Sequence, residues 1–244
     1  MRYFFIMSLL SLMAGLANAQ ETPVVTIETN VGNIVLELDP ANSPKTVKNF
    51  LVYVEENTYA NTIFHRVIKG FMIQGGGYTK DYKEKSTHAP VKNESDNELK
   101  NLRGTIAMAR TNDPHSATSQ FFINVADNTF LDYRKPANWG YTVFGKVIDG
   151  MDIVDKIENV STGSGGPFPK DVPQTPIVIE KITVAQRKTT ETQDVETPAT
   201  ETAQTPSAEE ETKKKVTTEP TTTKKSTVPP DAPTDPDKPE PLPH

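Results

Sequence analysis

The stretch "VVTIETNVGNIVLELD" (24–39) constrains the fold more than any other part of the chain. Apolar residues alternate with polar ones on both sides of Asn30-Val31-Gly32-Asn33, the pattern of a β-hairpin with one face buried. Runs of the same type follow at 63–69, 71–75, 104–109, 120–125, 141–147 and 176–184, which makes eight short strands in all. Only two segments read as helices. In "NSPKTVKNFLVYVEENTY" Ser43 suits an N-cap and Pro44 the first helical position, and Val47, Phe50, Leu51 and Val54 then recur at helical spacing. A second helix is predicted over about 150–157, with Met151, Val154 and Ile157 on one face. The polar segment from Gly76 to Arg103 reads mostly as loop. Many short strands with few helices imply an all-β barrel or sandwich.

The two ends do not belong to that fold. Arg2, the apolar run "YFFIMSLLSLMAGLA" and Ala17-Asn18-Ala19 form a secretory signal peptide, so cleavage before Gln20 and a periplasmic location are expected. The run is shorter than the ~20 residues a spanning helix needs, so no stable membrane insertion is expected after cleavage. Composition changes sharply after Gln186. From Arg187 to His244 there is no aromatic residue and no glycine, and Thr, Glu, Lys and Pro dominate. Such a segment buries too little apolar surface to offset its ordering entropy, so a disordered tail is expected, either a docking spacer or simply solvated. The division is therefore 1–19 signal peptide, 20–186 folded domain and 187–244 tail.

Composition narrows the chemistry. A net charge of −6 in 244 residues argues against a nucleic-acid binder. With no cysteine there is no thiolate chemistry and no Cys-ligated zinc. His65, His88, His115 and His244 lack metal-site spacing, so no metal and no cofactor are expected. No G-x-S-x-G elbow is present, and Gly75-Gly76-Gly77 is not followed by the Lys-Ser/Thr of a phosphate loop. His65, between Phe64 and Arg66, reads as a hydrogen-bonded barrel residue rather than a base.

One ribbon stands out. "FHRVIKGFMIQGGG" (64–77) sets Arg66 and Gln74 among aromatic and aliphatic neighbours. Residues two apart in a strand share a face, so Met72 and Gln74 point one way and Phe71 and Ile73 the other. In "SQFFINV" Gln120 and Phe122 share a face opposite Phe121, Ile123 and Val125. Two readings stay open on spacing alone. The strands converge with Arg66 on an apolar pocket edged by two amides and a guanidinium, or the three polar residues are ordinary solvent-facing positions.

Taken together, "FHRVIKGFMIQGGG", "GTIAMAR", "SATSQFFINV", "FLD" and "YTVFGKVIDGMDIVDKI" resemble the cyclophilin family of peptidyl-prolyl cis-trans isomerases, in the family's order and over nearly all of 24–184. With the signal peptide, the chain looks like a bacterial periplasmic member. The resemblance implies a closed eight-stranded antiparallel β-barrel capped by two α-helices, with its groove on the outer wall. It implies a catalytic set of Arg66, Gln74, Gln120 and Phe122. It further implies that Phe71, Met72 and Leu131 wall a proline pocket, that Ala109 and Arg110 form the edge that pairs with a peptide, and that Phe130 and Tyr141 complete the rim. The implied partners are proline-containing peptides or unfolded chains, with a monomer expected and a non-catalytic proline-binding module or holdase as the alternative.

The chain departs from the family's pattern at four positions. Lys69 stands where proline is usual, Arg110 where asparagine is common, and Phe130 and Tyr141 where many eukaryotic members carry tryptophan and histidine. The last two leave catalysis intact and put tight cyclosporin binding in doubt.

Overall fold

A computed structural model describes residues 22–185. The expected signal peptide and tail lie outside the described residues. The strands are β1 (Val24–Thr29), β2 (Gly32–Leu38), β3 (Thr62–Ile68), β4 (Met72–Thr79), β5 (Thr105–Met108), β6 (Phe121–Asn124), β7 (Val143–Asp149), β8 (Thr162–Gly165), β9 (Phe168–Pro173) and β10 (Val178–Val184). The helices are α1 (Pro44–Glu55) and α2 (Met151–Glu158), with a 3-10 turn at Thr129–Leu131. Eight strands close an antiparallel barrel in the order β1-β10-β3-β4-β6-β5-β7-β2. β8 and β9 form a separate two-stranded ribbon.

The alternation dictates which residues fill the barrel. Ile27, Ile34, Leu36, Val67, Ile73, Ile106, Phe121, Ile123, Phe144 and Ile179 point inward. α1 and α2 close the barrel with Val47, Phe50 and Val54, and with Val154 and Ile157. Phe50 meets Tyr59, Phe121 and Phe144 at centroid distances of 5.2, 5.8 and 5.2 Å. Burying a side chain of this size stabilises the fold by about 1.5–3 kcal/mol.

Three features differ from the sequence expectations. β4 runs on to Thr79, so 76–79 is strand rather than loop. Thr162–Gly165 and Phe168–Pro173, outside the eight strands expected, form β8 and β9, with the turn at Gly166 and Pro167. Ser43 precedes α1 but does not cap it, because its hydroxyl donates to the Val143 carbonyl at 2.7 Å and its oxygen accepts from the Asn97 side-chain amide at 2.6 Å. The cap comes from Glu94, whose carboxylate accepts from the Lys45 and Thr46 amides at 3.2 and 2.9 Å and from the Thr46 hydroxyl at 2.9 Å. An anion at the positive end of the helix dipole is favourable, and here a distant loop supplies it.

Candidate active site

Strand register gathers the polar and apolar candidates into one row. Arg66 on β3 pairs with Gln74 on β4, Gln74 with Phe122 on β6, Phe122 with Ala107 on β5, and Ala107 with Val143 on β7. Directly paired residues project from the same face with Cβ atoms about 5 Å apart. The neighbouring row, Val67, Ile73, Ile123 and Ile106, lies inside the barrel. The Arg66 row therefore lies on the outer wall, and the alternation in "SQFFINV" holds as expected.

An apolar cluster separate from the barrel core surrounds this row. It contains Phe71, Met72, Ala107, Ala109, Phe122, Leu131 and Val143, with Phe130 and Tyr141 partly buried against it. Met72 and Phe122 are fully buried, although they face away from the barrel interior. Phe71 departs from the strand alternation. It precedes β4, so it joins Met72 in the outer cluster and stacks on Phe130 at 5.6 Å. Tyr141 meets Phe122 edge-on at 5.8 Å.

The solvent-facing alternative for the two glutamines does not hold. Gln74 and Gln120 are buried, and the Gln74 amide donates to Gln120 Oε1 at 2.9 Å. Gln74 Oε1 has no hydrogen-bond partner among the described residues. Gln120 lies close against β4, where a Cβ on Gly77 would come within 2.6 Å of its Cδ. Arg66 is partly exposed and forms an ion pair with Asp171 of β9, Nε to Oδ2 at 3.8 Å.

Ala109 and Arg110 lie just beyond β5, and the Ala109 amide donates to the Gln120 carbonyl at 3.0 Å. The Arg110 side chain matters more than expected. Its Cζ sits 4.1 Å from the Tyr141 ring centroid, and Nε donates to the Gly140 carbonyl at 3.0 Å. Burial pushes the Tyr141 hydroxyl pKa up, while the charges of Arg110 and Arg66 pull it partly back. Both cations therefore act on the Tyr141 ring beside this cluster, and Tyr141 stays protonated.

His65 is buried, stacked on Phe168 at 5.3 Å and set edge-on to Tyr78 at 4.9 Å. Burial first, then the Arg66 charge, lowers its pKa from 6.5 to about 3. It is neutral at working pH. Its Nδ1 has no hydrogen-bond partner among the described residues.

Sequence reasoning missed the scaffold that holds the outer apolar cluster. Asn128 donates to the Phe71 carbonyl at 2.8 Å and to Asn124 Oδ1 at 2.7 Å. Asp132 accepts from the Asn101 amide at 2.8 Å, and Asn138 donates to the Phe130 carbonyl at 2.9 Å. The Asn/Asp-rich stretch "NVADN" hints at turns in the sequence, but not at buried side chains bonding across loops. Among the described residues no group of three or more His, Asp or Glu side chains could hold a metal ion.

Comparison with known proteins agrees with this geometry. Residues 24–184 match the family model described as cyclophilin type peptidyl-prolyl cis-trans isomerase/CLD. Peptidyl-prolyl cis-trans isomerase B of Escherichia coli (strain K12) is 56% identical over 165 residues, covering 67% of this chain and 100% of that protein. Peptidyl-prolyl cis-trans isomerase cyp18 of Streptomyces antibioticus is 57% identical over 162 residues, covering 66% and 97%. A cyclophilin type isomerase of Cryptosporidium parvum, crystallised in the presence of the dipeptide Ala-Pro, matches with a TM-score of 0.56 at 35% identity, covering 67% of this chain and 99% of that one. A barrel, an outer-wall row and a sequence match that all span the same residues make this chain a member of the cyclophilin-type peptidyl-prolyl cis-trans isomerase family.

Proposed function

We propose that this isomerase acts on exported polypeptides and that Arg66 is its catalytic donor. The chain is an enzyme that accelerates rotation about X-Pro bonds. Amide resonance imposes a barrier of ~18–20 kcal/mol on that rotation. Twisting the bond localises the lone pair on the prolyl nitrogen. A guanidinium that donates to that nitrogen stabilises the twisted state more than either planar state, which is differential binding. Arginine stays protonated at any working pH, so the donor is always available. In this reading Phe71, Met72, Phe122 and Leu131 grip the proline ring, and Gln74 and Gln120 orient the flanking carbonyls. Ala109 and Arg110 receive the peptide backbone beside the Phe130–Tyr141 rim. The signal-peptide pattern of 1–19 supports export to the periplasm, where a monomer would assist folding.

The observation that carries the assignment is the cross-strand row, which sets a guanidinium, an amide and a buried phenyl ring side by side on three strands. Exchange NMR on an Ala-Pro peptide tests it. Removing one preorganised donor typically costs ~10²–10³ in rate, and the partial exposure of Arg66 points to the lower end. Arg66→Ala should lower kcat/KM about 10²-fold while peptide affinity changes far less. Wild-type turnover in that variant would refute Arg66 as donor. Peptide binding by the wild type without faster exchange would mean that the chain is a proline-binding module.

A further inference from the structure

Asp171 lies outside the row described above. It belongs to β9, in the ribbon that packs against β3 through Phe168, stacked on His65. The ribbon is anchored by Val172, which is 1% exposed. Asp171 Oδ2 stands 3.8 Å from Arg66 Nε, with the two side chains 23% and 21% exposed. This pair is less exposed than Lys146–Glu37 or Arg103–Asp155 elsewhere on the barrel. Asp171 also has a φ of +66°, in the left-handed region that Asp and Asn enter more readily than other residues with a Cβ. A left-handed backbone and a half-buried ion pair at 3.8 Å therefore coincide at the residue that faces Arg66 from outside the row.

We infer that Asp171 is a positioning residue for the isomerase reaction. Its charge draws the Nε edge of Arg66 toward β9 and so sets the orientation of the guanidinium before substrate arrives. The chemistry favours this division. A guanidinium is a rigid planar fork on a flexible stem, so an anchor at one edge fixes the direction of the other. A donor fixed in advance needs no reorganisation when the lone pair develops. The ribbon is suited to hold that anchor because Phe168 packs on His65 of β3. The inference rests on the assignment of Arg66 as donor.

The test compares wild type with D171G, D171N, R66A and the R66A/D171G double variant. Glycine and asparagine both tolerate a positive φ, so either substitution preserves the ribbon. D171G should lower kcat about fivefold with KM nearly unchanged, the ratio that ~1 kcal/mol gives and the upper end for a partly exposed ion pair. At 3.8 Å the link is ionic rather than a hydrogen bond, so D171N, which keeps the shape and removes the charge, should lose about as much as D171G. In the R66A background D171G should have no further effect. The Arg66 Nε–H resonance should shift in both D171G and D171N, since each removes the neighbouring charge. Turnover by D171G equal to or faster than wild type would overturn the inference while leaving Arg66 as donor. An equal loss from D171G in both backgrounds would overturn it too, since the effect would not pass through Arg66. Wild-type turnover by R66A would overturn the donor assignment, and this inference with it.

Discussion

His65 makes the domain sensitive to mild acid, and the size of the effect follows from its burial. The ring is 3% exposed and packed between Phe168 and Tyr78. Burial, and then the adjacent Arg66 charge, lowers its pKa from 6.5 to about 3. The folded pKa therefore lies below the unfolded one, and the unfolded chain takes up the proton first as pH falls. The contribution to stability is complete above pH ~6.5 and is lost progressively down to pH ~3. Each pH unit in that window removes ~1.4 kcal/mol, so the loss is ~2 kcal/mol at pH 5 and ~5 kcal/mol at the lower limit. That is a large share of the 5–15 kcal/mol typical of a domain. His65→Phe keeps an aromatic ring between Phe168 and Tyr78 and removes the titration. Urea unfolding at pH 7.5 and pH 5.0 measures both proteins, and carboxylate titrations common to the two cancel in the comparison. The wild type should lose ~2 kcal/mol more than the variant on acidification. Equal losses, or folded-state His65 ring protons that titrate near 6.5 by NMR, would refute the reasoning.

Two further predictions concern the ends of structural elements. Glu94→Ala removes three contacts at the start of α1 and should cost ~1–2 kcal/mol, a fall in Tm of about 3–6 °C by calorimetry for a domain of this size. Mass spectrometry of the mature protein should find Gln20 at the N-terminus, and an intact Met1 chain in the cytosol would remove the periplasmic assignment.

Much of the barrel was legible because its strands alternate cleanly. Ile27, Leu36 and Ile123 each sit at the inward parity that their neighbours require. β8 and β9 were not legible. Their ribbon buries little apolar surface of its own, and "GSGGPFPKD" has the composition of a loop. Parity also misplaced Phe71, since the rule that residues two apart share a face ends where the strand ends. The position of Arg66 beside Gln74 and Phe122 depends on the register between β3, β4 and β6, and no local pattern in one strand encodes that register. Asp171 was invisible for the same reason. An aspartate 105 positions along the chain meets Arg66 only through tertiary packing.

A closed eight-stranded barrel has an interior just wide enough for its own side chains. A peptide site must then be built on the outside, where an open β-face would normally carry small polar residues. This wall instead buries Phe122 and Met72 under loops, and those loops bring backbone carbonyls that need partners. Asn128 and Asn138 supply them at Phe71 and Phe130, so the polar scaffold is a consequence of placing an apolar cluster outside the core. Gly77 answers a related demand. Gln120 can reach Gln74 only by lying flat on β4, and any side chain at Gly77 would occupy the space its amide takes. Gly77 is thus the bare backbone that lets Gln120 approach Gln74, while Gly75 and Gly76 make room for Phe64, Phe121 and Tyr59.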